Sequence, residues 1–378
     1  MRRATCVLAV VCSCVATATA LGVPSARVVG AAASVCQTTA FVPAGGEDLV
    51  SLVDVPTRTR ESDIHFPSTS SFASAVAITP DGKTAFVVLT GLNAVASIDV
   101  ATRTLNPANI SVGQSPNDVA ITPDGKTAFV TNAQDNSVST IDVATRTKDA
   151  TDIAVGTNPQ RVAITPDGKQ AWVTNFGDNT VSSIDVATRT KDPSDIPVGT
   201  NPDGIVFTPD GKTAYVANRD GTDPNPDPSK SGVVSTIDVA TRTKDPTDIS
   251  GFQHPAGIAV TPDGKTVFVT NFVNPGGYAS TIDVATRTKD PNEITTDASP
   301  IAVAITPDGV QAYTANLDGG DVSTIDVATR MAPDQDVTVG SAPADVAFTP
   351  CAPAPSPSPP PPPPAPESTV EVTPTFTG

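Results

Sequence analysis

The sequence predicts an all-β ring of seven four-stranded antiparallel sheets. Three observations carry that prediction. The tetrapeptide TPDG recurs at Thr79, Thr122, Thr165, Thr208, Thr261 and Thr306, with a stump at Thr349-Pro350. Its steps are 43, 43, 43, 53, 45 and 43 residues. A period in the low forties is one small sheet per repeat. The hexapeptide IDVATR follows each copy, at Ile98, Ile141, Ile184, Ile237, Ile282 and Ile325, with a degraded VDVPTR at Val53. Finally, the central strands of each repeat are apolar on both faces. One sheet of about 40 residues cannot cover itself on both sides, whereas copies stacked around an axis can.

The repeat from Asp118 to Gly156 shows each element. Four runs of β-formers stand between turn residues: strand A over 118–122, B over 127–131, C over 138–143 and D over 152–155. Pro123-Asp124-Gly125 joins A to B, with proline presetting φ and glycine taking the left-handed position. Between C and D, Asp142 is placed to accept hydrogen bonds from the backbone of its turn. The second position of strand A is Ala77, Ala120, Ala163, Ala259, Ala304 or Ala347, with Val206 the exception. Small side chains suit the strand nearest the axis.

The two ends of the chain explain the count of seven. Residues 38–66 align with strands B, C and D of a repeat and lack strand A. Asp345-Val346-Ala347-Phe348-Thr349 is a strand A with nothing after it. Together they make one composite blade, so N-terminal strands B–D pair with the C-terminal strand A and close a seven-bladed β-propeller. The predicted organisation is a signal peptide over 1–20, a lead-in over 21–37, the propeller over 38–350 and a Pro/Thr-rich tail over 351–378. Arg2 and Arg3, the apolar run 7–15 and the small residues 18–20 make the secretory signal. The reading is therefore a secreted or surface-displayed monomer without a membrane span. Five cysteines are present, three of them within the signal. Aligned on the repeat, Cys36 and Cys351 both fall on the position of Asp81, where the A–B turn of the composite blade would lie. A disulfide between them is expected to replace that turn.

Strand B ends as FVTN at Phe129–Asn132 and at Phe268–Asn271, as WVTN at Trp172–Asn175 and as YVAN at Tyr215–Asn218. With TPDGK before it and VSTID after it, the chain resembles the YVTN family of β-propeller repeat proteins over about 310 residues. The resemblance implies a secreted or cell-surface protein, including surface-layer types. Its fold is also similar to lactonases and to cofactor-dependent dehydrogenases.

Charge and composition narrow the functions. The formal net charge is −17, which argues against nucleic acid and anionic membranes as partners. With only His65 and His254, no zinc spacing and no supported catalytic triad exist. A lactonase-like site would need acidic and basic groups at the upper channel mouth, where strand A places Asp118, Arg161, Asp203 and Asp345; ordinary polar rim residues are the alternative. The B–C and D–A loops on that face differ between copies, through divergence for function or through drift. Phe176, Phe252, His254, Phe272 and Tyr278 are its candidates for contacting a protein or glycan partner. No cofactor is called for apart from calcium: Asp220, Asp223, Asn225 and Asp227 supply oxygen ligands in a short span, or form a solvated acidic loop. Asn109-Ile110-Ser111 is a glycosylation sequon on an outer strand. The leading reading is a binding scaffold, with a propeller enzyme or a structural envelope component as alternatives.

Overall fold

The computed structural model describes residues 38–220, 232–332 and 336–351, and in it seven antiparallel sheets form the blades of a propeller. The third blade is representative. Its strands are Pro116–Ile121, Thr127–Asn132, Ser137–Asp142 and, outermost, Thr147–Lys148 with Ile153–Ala154. Strand A thus starts two residues earlier than the sequence pattern marks. The fourth strand differs more: it has two pieces, both paired with Ser137–Asp142. The first piece comes from the TK dipeptide that reads as turn in the sequence. Asp149 explains the break. Its amide bonds Thr140 O at 2.8 Å and its carboxylate accepts from Thr140 Oγ1 at 2.6 Å, after which the chain steps out and returns at Ile153.

The core is divided into seven seams between neighbouring blades. Each receives one aromatic side chain from the same position of strand B: Phe41, Phe86, Phe129, Trp172, Tyr215, Phe268 and Tyr313, all at most 1% exposed. Phe129, for example, packs with Val162, Ala171 and Ile184 of the next blade. Trp172 meets Phe207 of the following blade edge-on, with ring centroids 5.2 Å apart. Burying such a ring is worth roughly 1.5–3 kcal/mol, so these seven positions dominate the packing.

The repeated polar residues are consumed in holding this frame. In each TPDG turn the glycine has positive φ, 70° at Gly125. Asp124 accepts from Thr122 Oγ1 at 2.6 Å and from the Lys126 amide at 3.1 Å. Asp142 accepts from the Thr145 amide and hydroxyl, both at 2.7 Å, as its position predicts. The threonine of VTN is a clasp between blades. Thr131 Oγ1 accepts from the Asp118 amide of its own blade at 3.1 Å and donates to Gln160 O of the next at 2.9 Å. Thr174 repeats this with Arg161 N and Asp203 O. The neighbouring asparagine ties strand B to strand C, as Asn132 does by donating to Ser139 Oγ at 2.9 Å.

The ring closes as the termini predict. Phe41 pairs with Ala347 and Ala40 with Phe348. Thr349 N donates to Thr39 O, and Thr39 N to Thr349 Oγ1, both at 3.0 Å. Phe348 meets Tyr313 of the seventh blade edge-to-face, with ring centroids 5.2 Å apart. Cys351 is disulfide-bonded; Cys36 lies outside the described residues.

The A–B and C–D turns share one face, called the lower. Lysines after the PDG turns pair with their own aspartates, as Lys126 does with Asp124 at 3.2 Å. Arginines of the C–D turns reach back to the preceding blade: Arg189 to Asp149, Arg242 to Asp192, Arg287 to Asp245 and Arg330 to Asp290.

Candidate functional site

One position of strand A, four residues before its closing threonine, turns to the axis. In blade order it reads Asp345, Ala75, Asp118, Arg161, Gly204, Gly257 and Ala302. The ring is therefore charged over one arc and small over the other. A cavity of about 130 Å³ lies here, lined by Asp118, Arg161, Asp345 and, opposite, Ile205, Ile258 and Val303. The glycines are demanded by crowding at the axis. A Cβ on Gly204 would sit 2.3 Å from Ala256 O, and one on Gly257 would sit 2.6 Å from Ala302 Cα.

The structure brings together all four residues expected at the mouth. Arg161 Nη1 lies 3.5 Å from Asp118 Oδ1, and its Nε lies 3.8 Å from Asp203 Oδ1. Asp118 Oδ2 also accepts from the Val162 amide at 2.8 Å, and Asp345 Oδ2 accepts from the Val76 amide at 3.0 Å. Each of these carboxylates thus caps the inner strand of the following blade. Burial pushes the Asp118 carboxyl above its ordinary range despite Arg161. It pushes Asp345 up to about 6, with Arg161 opposing the rise and Asp118 adding to it. Burial disfavours the charged form of Arg161, but the surrounding Asp118, Asp345 and Asp203 hold its pKa above the usual value.

A fifth member, Arg219, escapes the sequence reading. Its Nη2 lies 2.6 Å from Asp203 Oδ2 and its guanidinium stands 5.5 Å from the centroid of Phe272. The signal was present: the residue after the strand B asparagine is Ala133, Phe176, Phe272 or Leu317 in other blades. It was hidden because fifth-blade strands A and B run on to Thr200 and Asp220, two residues beyond the common pattern on each strand.

The remaining expected residues separate. Phe252 is a correction: it is fully buried, packed with Tyr215, Val234 and Ile258, and cannot offer a contact surface. Its place opposite Gly232 in the register draws it into the seam. Phe176, Phe272 and Tyr278 are half-buried, and Tyr278 Oη donates to Gln253 Oε1 at 3.4 Å. His254 is exposed, with Nδ1 3.4 Å from Asp220 Oδ1. Asp220 also accepts from Asn201 Nδ2 at 2.7 Å. Asp223, Asn225 and Asp227 lie outside the described residues. Asn109 is exposed beside the outermost strand Ile110–Ser111, where a glycan has room.

Two features went unread in the sequence. Phe72 and Leu92 are exposed at 56% and 38% on the upper loops of the second blade. Asp297, Asp321 and Asp336 bring carboxylate oxygens within 4.8 Å of one another in the seventh. Burial and the neighbouring Asp297 and Asp336 push Asp321 up to about 7, against the hydrogen bond it accepts from Asn316. Among the described residues no helix is long and apolar enough to cross a membrane.

Fold and channel define a β-propeller protein. A family model described as a YNCE-like beta-propeller matches residues 47–214. No curated protein matches the chain. Similar solved structures include a functionally unknown protein from Desulfotomaculum acetoxidans, with 16% identity over 83% of this chain and 99% of that one and a TM-score of 0.70. A putative 6-phosphogluconolactonase from Bacteroides fragilis has 20% identity over 84% and 99% of the two chains, TM-score 0.68. Hydrazine synthase of Kuenenia stuttgartiensis has 22% identity over 75% and 91%, TM-score 0.65. At these identities the likeness is one of fold.

Proposed function

We propose that this chain is a secreted or surface-displayed propeller of the YVTN type that binds a partner through its upper face. The observation that carries the reading is where the repeat pattern breaks. On the lower face and in the seams the same polar residues recur from blade to blade. Departures gather at the upper mouth, as Arg161, Arg219 and the carboxylates around them. Exposed Phe72, Leu92 and His254 surround the same face. The cavity, about 130 Å³, is well below the roughly 300–1,000 Å³ of ordinary small-molecule pockets. That favours recognition of a group projecting from a macromolecule over capture of a whole metabolite.

The test is capture from the producing cell's envelope, read by mass spectrometry, with variants of each face. Asp203→Asn with Phe272→Ala should lose the captured species, and Lys126→Glu with Lys169→Glu should keep it. The reverse pattern, or no specific species, would overturn the reading. A second reading, hydrolysis of a sugar lactone at the mouth, draws on Asp345, which at about 6 is a stronger base than an ordinary carboxylate yet mostly ionised near neutrality. Turnover of glucono-δ-lactone that disappears in Asp345→Asn would favour it.

A further inference from the structure

The charges at the mouth do not balance. Asp203 is closed by Arg219, which places both Nε and Nη2 on one of its oxygens, at 2.7 and 2.6 Å. Asp118 has Arg161 at 3.5 Å and two backbone donors, Val162 and Val119. Asp345 makes no ion pair among the described residues; only the amides of Val76 and Val346 bond it. With Asp203 and Arg219 closed on each other, the cavity itself sets two carboxylates, Asp118 and Asp345, against one guanidinium, Arg161.

We infer that the mouth accepts one primary ammonium group on an alkyl chain, the side chain of a lysine on a partner protein. The inference rests on the binding reading above and names the partner's chemistry. Three observations converge on it. The cavity lining carries one more carboxylate than cation, Asp118 and Asp345 against Arg161, and an entering anion would meet that excess negative charge. The facing arc is apolar, formed by Ile205, Ile258, Ala302 and Val303 with two glycines. A lysine carries that same division, methylenes along its stem and charge at its tip. The volume fits as well: about 130 Å³ is the share of roughly four waters, enough for an ammonium and part of its stem.

The wider charge distribution points the same way. Among the described residues, Arg161 and Arg219 are the only lysines or arginines away from the A–B turns, the C–D turns and the start of the fourth strand. The upper face otherwise carries acids, including Asp48, Asp135, Asp178, Asp220 and Asp318. A basic partner is steered to this face.

The probe is Nα-acetyl-lysine methylamide, titrated into the full chain by calorimetry or ligand-observed NMR. Its Nζ-acetylated form, of the same shape but uncharged, is the control. Saturable binding is expected for the first and at least a tenfold loss for the second. Asp345→Asn should also cost at least tenfold, since it removes the unpaired charge while leaving an acceptor for the Val76 amide. Ala302→Leu should block the probe by filling the cavity without altering charge. Binding should weaken from pH 7.5 to pH 5, as Asp345, facing Asp118, Asp203, Arg161 and Arg219, takes up a proton. Equal binding of the acetylated probe, or unchanged binding in Asp345→Asn, overturns the inference. So does displacement of the probe by calcium chloride but not by butylammonium. Envelope capture that survives Asp345→Asn yet is lost in Phe272→Ala would sink the ammonium site alone and leave the binding reading standing.

Discussion

Replacing Asp345 by Asn should stabilise the propeller at neutral pH. The carboxyl stands at about 6 in the folded chain against an ordinary 3.8. At 1.36 kcal/mol per unit, holding it ionised costs the folded state about 3 kcal/mol once the pH is above both values. The sign follows from proton counts. Between pH 4 and pH 6 the folded chain binds more protons than the unfolded chain, so stability falls as pH rises through that window and is level above it. Asparagine carries no charge and removes the penalty, but accepts more weakly from the Val76 amide, at a loss of about 1 kcal/mol. The expected gain is therefore about 2 kcal/mol at pH 8. Because part of the penalty has already vanished at pH 5, the gain there should be smaller by about 1.4 kcal/mol. Urea unfolding of both proteins at the two pH values measures this difference directly. A variant that is less stable at pH 8, or a gain that does not change with pH, would refute the account of Asp345 as a buried, unpaired charge.

Other outcomes follow from the same structure. Asp321→Asn should also stabilise at pH 8 and lose its advantage below about pH 4, because Asp321, at about 7, destabilises the fold as pH rises from its ordinary value of 3.8; a flat pH difference between melts of the two proteins would count against it. Thr131→Val should cost about 1–2 kcal/mol in denaturant unfolding by breaking the clasp to Gln160 O, while binding at the upper face stays unchanged. Phe129→Ala should cost about 3–5 kcal/mol by emptying the seam against Val162 and Ala171; a loss under 1 kcal/mol would mean the seam collapses freely. Thiol titration of the unreduced, denatured chain lacking residues 1–20 should find no reactive thiol, since Cys351 is bonded and Cys36 is its expected partner; two reactive thiols would disprove that pairing.

The frame was legible because it is written six or seven times. A TPDG turn, an Asp-Val-Ala-Thr turn and an aromatic at one place in strand B each recur, so chance agreement is excluded and register follows. The composite blade was legible for the same reason, as a missing strand at one end and a surplus strand at the other. The mouth residues were found because strand A faces the axis wherever it occurs. What the sequence hid lies where the pattern is interrupted. Arg219 belongs to an extension of two strands that no other blade has. Phe252 ends an irregular fourth strand, Ile249–Phe252, whose register shift turns it inward. The fourth strand's first piece was missed because Thr147-Lys148 has the polarity of a loop and pairs along one edge only.

Closure by the last strand sets an order of events during synthesis. The innermost strand of the first blade is supplied by Ala347 and Phe348, more than 300 residues after the partner strand Thr39–Ala44. Until that segment leaves the ribosome, six blades can stack only into an open arc. The unpaired side of Thr39–Ala44 then stays available to any passing strand, as bare sheet edges do. The strand Ala347–Phe348 therefore works as a latch, and a message that stops short of Phe348 yields a product with an adhesive edge in place of a slightly shorter ring.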